Sequence, residues 1–214
     1  MKIVIGIPSY LPDTREVREY RFNRLKALIN KCNQLFNLPI YIVTQNYKEE
    51  KLYLTGYKNV ILSEDYTPLG IVGARRKLRE YFLNSDYDYL IMLDDDIIIY
   101  GSSGKLYLKQ IEENPDCFIE NNDLRIQLFA ISKKIYSQID FVDVSPEQGE
   151  AFEDRIFVES LRIKFPEARR IFKDTGLFED SPATADIHST WYKGQDIEFM
   201  LANTEEIIAK IKNT

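Results

Sequence analysis

The stretch Tyr89-Leu90-Ile91-Met92-Leu93-Asp94-Asp95-Asp96-Ile97 (residues 89–97) joins five consecutive apolar residues to three consecutive aspartates. A short run that is apolar throughout reads as a strand buried on both faces, the habit of parallel sheets covered by helices. Three adjacent carboxylates repel one another. At the end of such a strand they are costly unless a cation or several donors offset them. In extended geometry Asp94 and Asp96 point one way and Asp95 the other. The pair Asp94 and Asp96 therefore suits one divalent ion, Mn²⁺ or Mg²⁺, which prefers oxygen ligands and keeps open positions for substrate phosphates. A loop of solvated aspartates, one of them capping a helix, is the plainer alternative.

Upstream, Lys2 to Ile7 (KIVIGI) is a β-branched run stopped by Pro8, hence a buried strand and then a loop. Asp13 or Thr14 is placed to cap a helix that runs to about Phe36, with Val17, Tyr20, Leu25, Leu28, Ile29, Cys32 and Leu35 at helical spacing. Ile40 to Thr44 and Asn59 to Leu62 read as further strands. Gly70 to Leu83 reads as a helix with Ile71, Ala74, Leu78 and Phe82 on its apolar stripe. Alternating strand and helix predicts an α/β fold with a Rossmann-like, mostly parallel sheet flanked by helices. Such sheets bind ligands outside the carboxyl ends of their strands. Pro8-Ser9-Tyr10, Gln45-Asn46-Tyr47 and the aspartate triplet all fall there.

Downstream the pattern is less regular. Leu124 to Ser132 alternates like a half-buried strand, Glu150 to Lys164 reads as a helix ended by Pro166, and Asp174 to Lys193 is loop-like. Asn203 reads as the cap of a last helix, Thr204 to Ile211, with Glu206 at the capping-box position. No repeat, low-complexity tract or linker interrupts the chain. The expectation is a single domain over 1–214, with a regular half (1–100) and an irregular second lobe (101–214).

The 214 residues suffice for one full core, and 44% hydrophobic with 29% charged residues is ordinary globular composition. A formal charge of −6 argues against a protein that lives on nonspecific attraction to DNA or anionic lipid, though not against one local basic patch. Cys32 and Cys117 form no metal-type pair and read as buried, reduced thiols. No signal peptide or membrane span is recognisable in the sequence, so the expected location is the cytoplasm.

An apolar strand ending in Asp-x-Asp, after an N-terminal strand-Pro-Ser unit and a Gly-x-x-x-Ala-Arg helix, resembles the GT-A class of glycosyltransferases, from Lys2 to about Ile99. A narrower similarity is to small phage-type enzymes that glycosylate hydroxymethylated pyrimidines in DNA. It rests on IPSY (7–10), TQNY (44–47), GIVGARRKL (70–78), LDDDI (93–97) and STWY (189–192). The resemblance implies a metal-dependent transfer of a sugar from a nucleoside-diphosphate sugar, UDP-linked, to a hydroxyl acceptor. Modified DNA is one such acceptor, and the location is then a host cytoplasm. It assigns 1–100 to the nucleotide sugar and 101–214 to the acceptor. It also implies that Asp94 faces the nucleotide, Asp96 holds the Mn²⁺ or Mg²⁺ ion, and Asp95 lies between them.

The same resemblance puts Pro8, Ser9 and Tyr10 in a loop cradling the nucleoside, and makes Arg75 a nucleotide contact. Gln45 and Asn46 are placed to hydrogen-bond a base or ribose, with an ordinary polar loop as the alternative. Gly70 and Gly73 permit close backbone approach at a helix start, where amides attract anions. Arg76 stands where the resembled family most often has asparagine, which leaves its role open; a solvated helix face of Arg76, Lys77 and Arg79 is the plainer alternative, and it is the reading taken for Arg79. An inverting transferase needs a carboxylate base, for which Asp154 is the first candidate and Glu153 the second. Acidic residues also simply suit a first helical turn, and Glu147 and Glu150 are weaker competitors. By the same resemblance His188, the only histidine, is a candidate metal ligand, with an ordinary surface histidine as the alternative. Lys193 is a candidate phosphate contact, and Trp191 a candidate acceptor platform, with a place in the core as its alternative. Arg15, Arg18, Arg21 and Arg24 wind around the first helix and read as a salt-bridged surface, with phosphate contact as the sharper alternative.

Three other classes compete. A sugar-phosphate nucleotidyltransferase would want a glycine-rich basic loop after the first strand, where this chain has IPSYLPD. A receiver-like module places paired acids after the first strand rather than the fourth. A non-catalytic nucleotide-sugar-binding module has no need of the intact aspartate cluster.

Overall fold

The computed structural model describes residues 1–64, 66–67, 69–95, 97–99, 104–121, 125–141, 153–173, 178–180 and 197–213. Four parallel strands form its first half: β1 (Ile3–Tyr10), β2 (Ile40–Gln45), β3 (Val60–Leu62) and β4 (Tyr89–Leu93). They are linked by α1 (Arg15–Leu35), α2 (Glu50–Leu54) and α3 (Gly70–Asn84). Beyond β4 come β5 (Ile97–Ile99), α4 (Gly104–Glu113), β6 (Phe118–Asn121), β7 (Arg125–Ser132), α5 (Lys133–Tyr136), α6 (Glu153–Lys164), β8 (Arg169–Phe172), β9 (Phe178–Asp180) and α7 (Ile197–Lys212). The main sheet has the order β3-β2-β1-β4-β7-β6-β8, with β7 antiparallel to both neighbours. β5 and β9 pair in a separate antiparallel ribbon.

The chain moves outward from β1 through β2 to β3, then returns to lay β4 on the other side of β1. The strand order therefore reverses between β1 and β4, and the crevice at their carboxyl ends is where such sheets take ligands. Pro8 helps to open it. Ile5 N donates to Pro39 O and Leu11 N to Gln45 O, so odd-numbered amides of β1 face β2. Position 8 would aim its amide at β4, and proline has none. The β1–β4 pairing ends at Gly6 and Met92, while β1–β2 pairing continues to Tyr10 and Gln45.

A separate core covers each face. Ile3, Ile5, Ile7, Tyr89, Ile91 and Leu93 pack with Phe22, Leu25 and Ile29 of α1 and with Tyr107 and Ile111 of α4. Val4, Leu90 and Met92 pack with Ala74, Leu78 and Phe82 of α3 and with Phe157 and Leu161 of α6. The two sides are assigned by residue parity, as strand geometry requires. α3 approaches β1 closely over Gly6: a Cβ there would lie 2.3 Å from Leu78 Cδ1 and 2.8 Å from Leu90 Cδ1. Gly6→Ala is expected to cost about 1–3 kcal/mol by overpacking, read as a lower urea midpoint. An unchanged midpoint would show that the two leucines turn aside freely.

α6 is tied to the sheet through β6. Buried Glu120 of β6 accepts hydrogen bonds from Arg162 of α6, with Nε at 3.0 Å, and from Arg169 Nε of β8 at 3.1 Å. The last helix differs from expectation. α7 begins at Ile197, so Asn203 is an interior residue and not a cap. Met200, Thr204 and Ile208 continue one buried stripe, and the Thr204 hydroxyl donates to Met200 O at 2.7 Å. A threonine satisfied by back-bonding is tolerated inside a helix, so the Asn-Thr signal carried no boundary. Among the described residues no helix is long and apolar enough to cross a membrane.

Candidate active site

Side-chain parity carries on past the end of β4. Asp95 joins the odd-numbered face, where the Ser9 hydroxyl donates to its Oδ2. That hydroxyl also lies 2.7 Å from the Tyr47 hydroxyl. Ser9, Tyr47 and Asp95 are all buried, so the ends of β1, β2 and β4 are tied by one polar chain. Burial, reinforced by the Asp95 charge, pushes the Tyr47 phenol well above its ordinary pKa, so Tyr47 stays neutral. Asp94 takes the other face and stays partly exposed. Its Oδ1 accepts from Arg75 Nη2 of α3 at 3.2 Å.

Arg75 is the junction of the site. It is 4% exposed, and its Nη1 donates to Glu153 Oε1 at 2.9 Å, at the first residue of α6. Its guanidinium carbon stands 5.6 Å from the centre of the Phe141 ring. Burial alone would lower the Arg75 pKa, but the carboxylates of Asp94, Glu153 and Asp154 outweigh it and leave the pKa raised. Glu153 is pushed up by burial, with Arg75 opposing. Asp154 is half-buried beside them, and its Oδ1 accepts from Arg155 N at 2.8 Å. Three elements distant in sequence thus bring Asp94, Glu153, Asp154 and Arg75 together at the carboxyl edge of β4.

The other candidates serve the rim. Tyr10 ends β1 half-buried, and its carbonyl accepts from Arg21 Nη1 at 3.4 Å. Gln45 is buried, and its Oε1 accepts from Leu69 N at 2.8 Å, just before α3 begins. Asn46 adopts φ 58 and donates through Nδ2 to Leu11 O at 2.8 Å and Asp13 Oδ1 at 3.1 Å, so its amide bridges the β1 and β2 loops. Gly70 opens α3 at φ 68, a left-handed conformation that glycine adopts without strain. Asp96, His188, Trp191 and Lys193, with Glu147 and Glu150, lie outside the described residues.

Two expectations about arginines are corrected. Arg76 and Arg79 are not a solvated face: Arg76 Nη2 donates to Phe141 O at 2.6 Å and Arg79 Nε to Tyr136 O at 3.2 Å, so both tie α3 to the 136–141 segment. Lys77 does stay at the surface, paired with Glu80. Arg18 is not a surface residue. It is buried, donates to Glu50 through Nε at 2.6 Å and Nη2 at 2.8 Å, and reaches Asn46 O at 2.9 Å and Pro12 O at 3.3 Å. The signal was there to read: Arg18 falls four residues before Phe22 and seven before Leu25, on the stripe that α1 buries.

Among the described residues no group of three or more His, Cys, Asp or Glu side chains is arranged to hold a metal ion. Asp94 faces Arg75 and Asp95 faces Ser9, so the carboxylates among the described residues do not by themselves make a cation site.

No protein-family model matches the chain, and no curated protein matches it by sequence. Solved structures do match. Residues 1–349 of Staphylococcus aureus TarS in complex with UDP align with a TM-score of 0.65 at 13% identity, over 100% of this chain and 71% of that one. Against a longer TarS structure the chain spans 43% of the length, with a TM-score of 0.63 at 13% identity. A Desulfovibrio desulfuricans protein assigned as a nucleotide-diphospho-sugar transferase gives 0.57 at 12% identity, covering 99% of both chains. CMP:2-keto-3-deoxy-manno-octonic acid synthetase with CTP gives 0.59 at 12% identity, over 90% and 99%. At these identities the likeness is one of fold, and the chain has the GT-A-like fold of nucleotide-diphospho-sugar transferases.

Proposed function

We propose that this protein transfers a sugar from a nucleoside-diphosphate sugar to a hydroxyl acceptor. One observation carries the reading: Arg75 gathers Asp94 of the β4 edge and Glu153 of α6 at the crevice between β1 and β4, with Asp154 beside them. A nucleotide sugar lying across that edge would present its anomeric carbon to the acidic start of α6. Asp154 accepts the proton of the acceptor hydroxyl as that oxygen attacks the anomeric carbon, and the nucleoside diphosphate departs. Glu153, already engaged by Arg75, is less available for this. Structural similarity to UDP-bound TarS supports a uridine nucleotide as the first donor to try.

A divalent ion, Mn²⁺ or Mg²⁺, belongs to the proposal through Asp96 and His188 with Asp94. When bound, it would supply Lewis-acid stabilisation of the diphosphate leaving group. Similarity to a CTP-bound synthetase keeps nucleotidyl transfer as the second reading. It is less favoured because the backbone just past β1 is paired with the end of β2 and not opened as a phosphate loop: Leu11 N is committed to Gln45 O.

The test is a thermal-shift panel of UDP, GDP, CDP, TDP and their sugars, with Mn²⁺ and with chelator. A bound nucleotide at about 100 times its Kd adds about 2.7 kcal/mol, which is about 5–10 °C for a chain of this size. If none of the nucleotides moves the midpoint, the reading fails. Sugar transfer to hydroxymethylated against plain DNA, a glycan and a protein then decides the acceptor.

A further inference from the structure

Arg75 carries three facts that a nucleotide contact would not need. It is 4% exposed, so its charge does not reach outward. Both terminal nitrogens are already engaged, one by Asp94 and one by Glu153. Its Nε is buried without a hydrogen-bond partner among the described residues, so the side chain accepts an unpaired donor to hold this orientation. The Phe141 ring lies against the guanidinium, and Phe141 is itself held through its carbonyl by Arg76.

We infer that Arg75 is a positioning residue that sorts the acidic pair at the start of α6, anchoring Glu153 toward Asp94 so that the adjacent Asp154 is the carboxylate presented to the acceptor. The inference rests on the transferase reading above. It assigns Arg75 a role through other residues and not through contact with the donor. A planar fork is required, because one group must span two carboxylates on different elements at once. Lysine keeps the charge but offers a single point. Among the described residues, the carboxylates that act on Arg75 are Asp94, just past β4, and Glu153 and Asp154 of α6.

The experiment compares the wild-type protein with Arg75→Lys, Glu153→Gln and the double variant. It reads donor turnover, calorimetric binding of UDP (or whichever nucleoside diphosphate the panel selects) and urea unfolding. In Arg75→Lys, kcat should fall about 10- to 100-fold while donor KM and nucleoside-diphosphate Kd stay within about threefold. The double variant should be no slower than the worse single variant, and the unfolding cycle should be non-additive, because both substitutions break one contact. A tenfold or larger rise in nucleotide Kd would make Arg75 a donor contact and overturn the inference. So would unchanged kcat, or additive unfolding effects. Failure of the wild-type protein to bind any nucleotide sinks the transferase reading instead, and the unfolding cycle still judges the clamp.

Discussion

Replacing Asp154 by asparagine is expected to lower sugar-transfer turnover by about 10²–10⁴-fold, the usual contribution of a positioned general base, with nucleoside-diphosphate affinity unchanged. The substitution is nearly isosteric, and the Asp154 carboxylate accepts from the backbone amide of Arg155, a hydrogen bond that an asparagine oxygen can also accept. Its structural worth in the first turn of α6 is that of a negative charge near a helix N-terminus, about 0.3–1 kcal/mol. A hundredfold loss of rate corresponds to about 2.7 kcal/mol of activation free energy, more than that structural term can supply. Turnover and melting temperature measured on the same preparation therefore separate the two roles. A variant that keeps more than about a tenth of wild-type turnover shows that Asp154 is only a helix-start residue, and Glu153→Gln should then carry the large loss. Product stereochemistry is a second check. A base at this position belongs to inversion at the anomeric centre, so a retained configuration removes the role from Asp154.

The parts of the fold and site set by local rules were legible in the sequence. The all-apolar run before Asp94 marked a central strand, and the alternation expected of extended chain placed Asp94 and Asp95 on opposite faces, as the structure shows. Pro8 was read as a stop, and its real effect is more specific: it withholds an amide from β4 and not from β2. What stayed hidden depended on distant partners. Ser9 read as a nucleoside-facing residue by resemblance, but the buried Asp95 and Tyr47 that hold its hydroxyl come from other strand ends. Arg75 gave no sign that both its terminal nitrogens would be engaged across two other elements. The short elements β5, β6, β8 and β9 lack the length for a periodic signal, and their pairings are set by tertiary context. The Asn203-Thr204 pair shows the opposite error, a strong local signal overruled by a core stripe running through it.

That kind of hidden dependence makes Arg18 the position where a single change should cost the most stability. Arg18→Met is expected to destabilise the protein by about 3–5 kcal/mol, the range for removing one partner of a buried ion pair. An exposed pair would lose under about 1 kcal/mol, so burial decides which figure applies. The side chains of Arg18 and Glu50 are 11% and 19% exposed, and Arg18 also serves the carbonyls of Pro12 and Asn46. Methionine fills the same stripe of α1 but leaves Glu50 without its strongest partner and the β1 and β2 loops without their common donor. Hydrogen bonding to Arg18 holds the Glu50 carboxyl down at about 2, from an ordinary 4.5. A carboxyl lowered in the folded state adds stability above its unfolded pKa, and that stability is lost as pH falls from about 4.5 toward about 2. Wild-type urea midpoints should therefore drop across this window, and the drop should be shallower in Arg18→Met, where Glu50 titrates nearer its ordinary value. A loss under about 1 kcal/mol at pH 7, or an acid profile parallel to that of the wild type, would reduce Arg18 to a surface salt bridge. The segments it ties carry Tyr10, Asn46 and Asp13 at the rim of the crevice, so weakened nucleotide binding should accompany the lost stability.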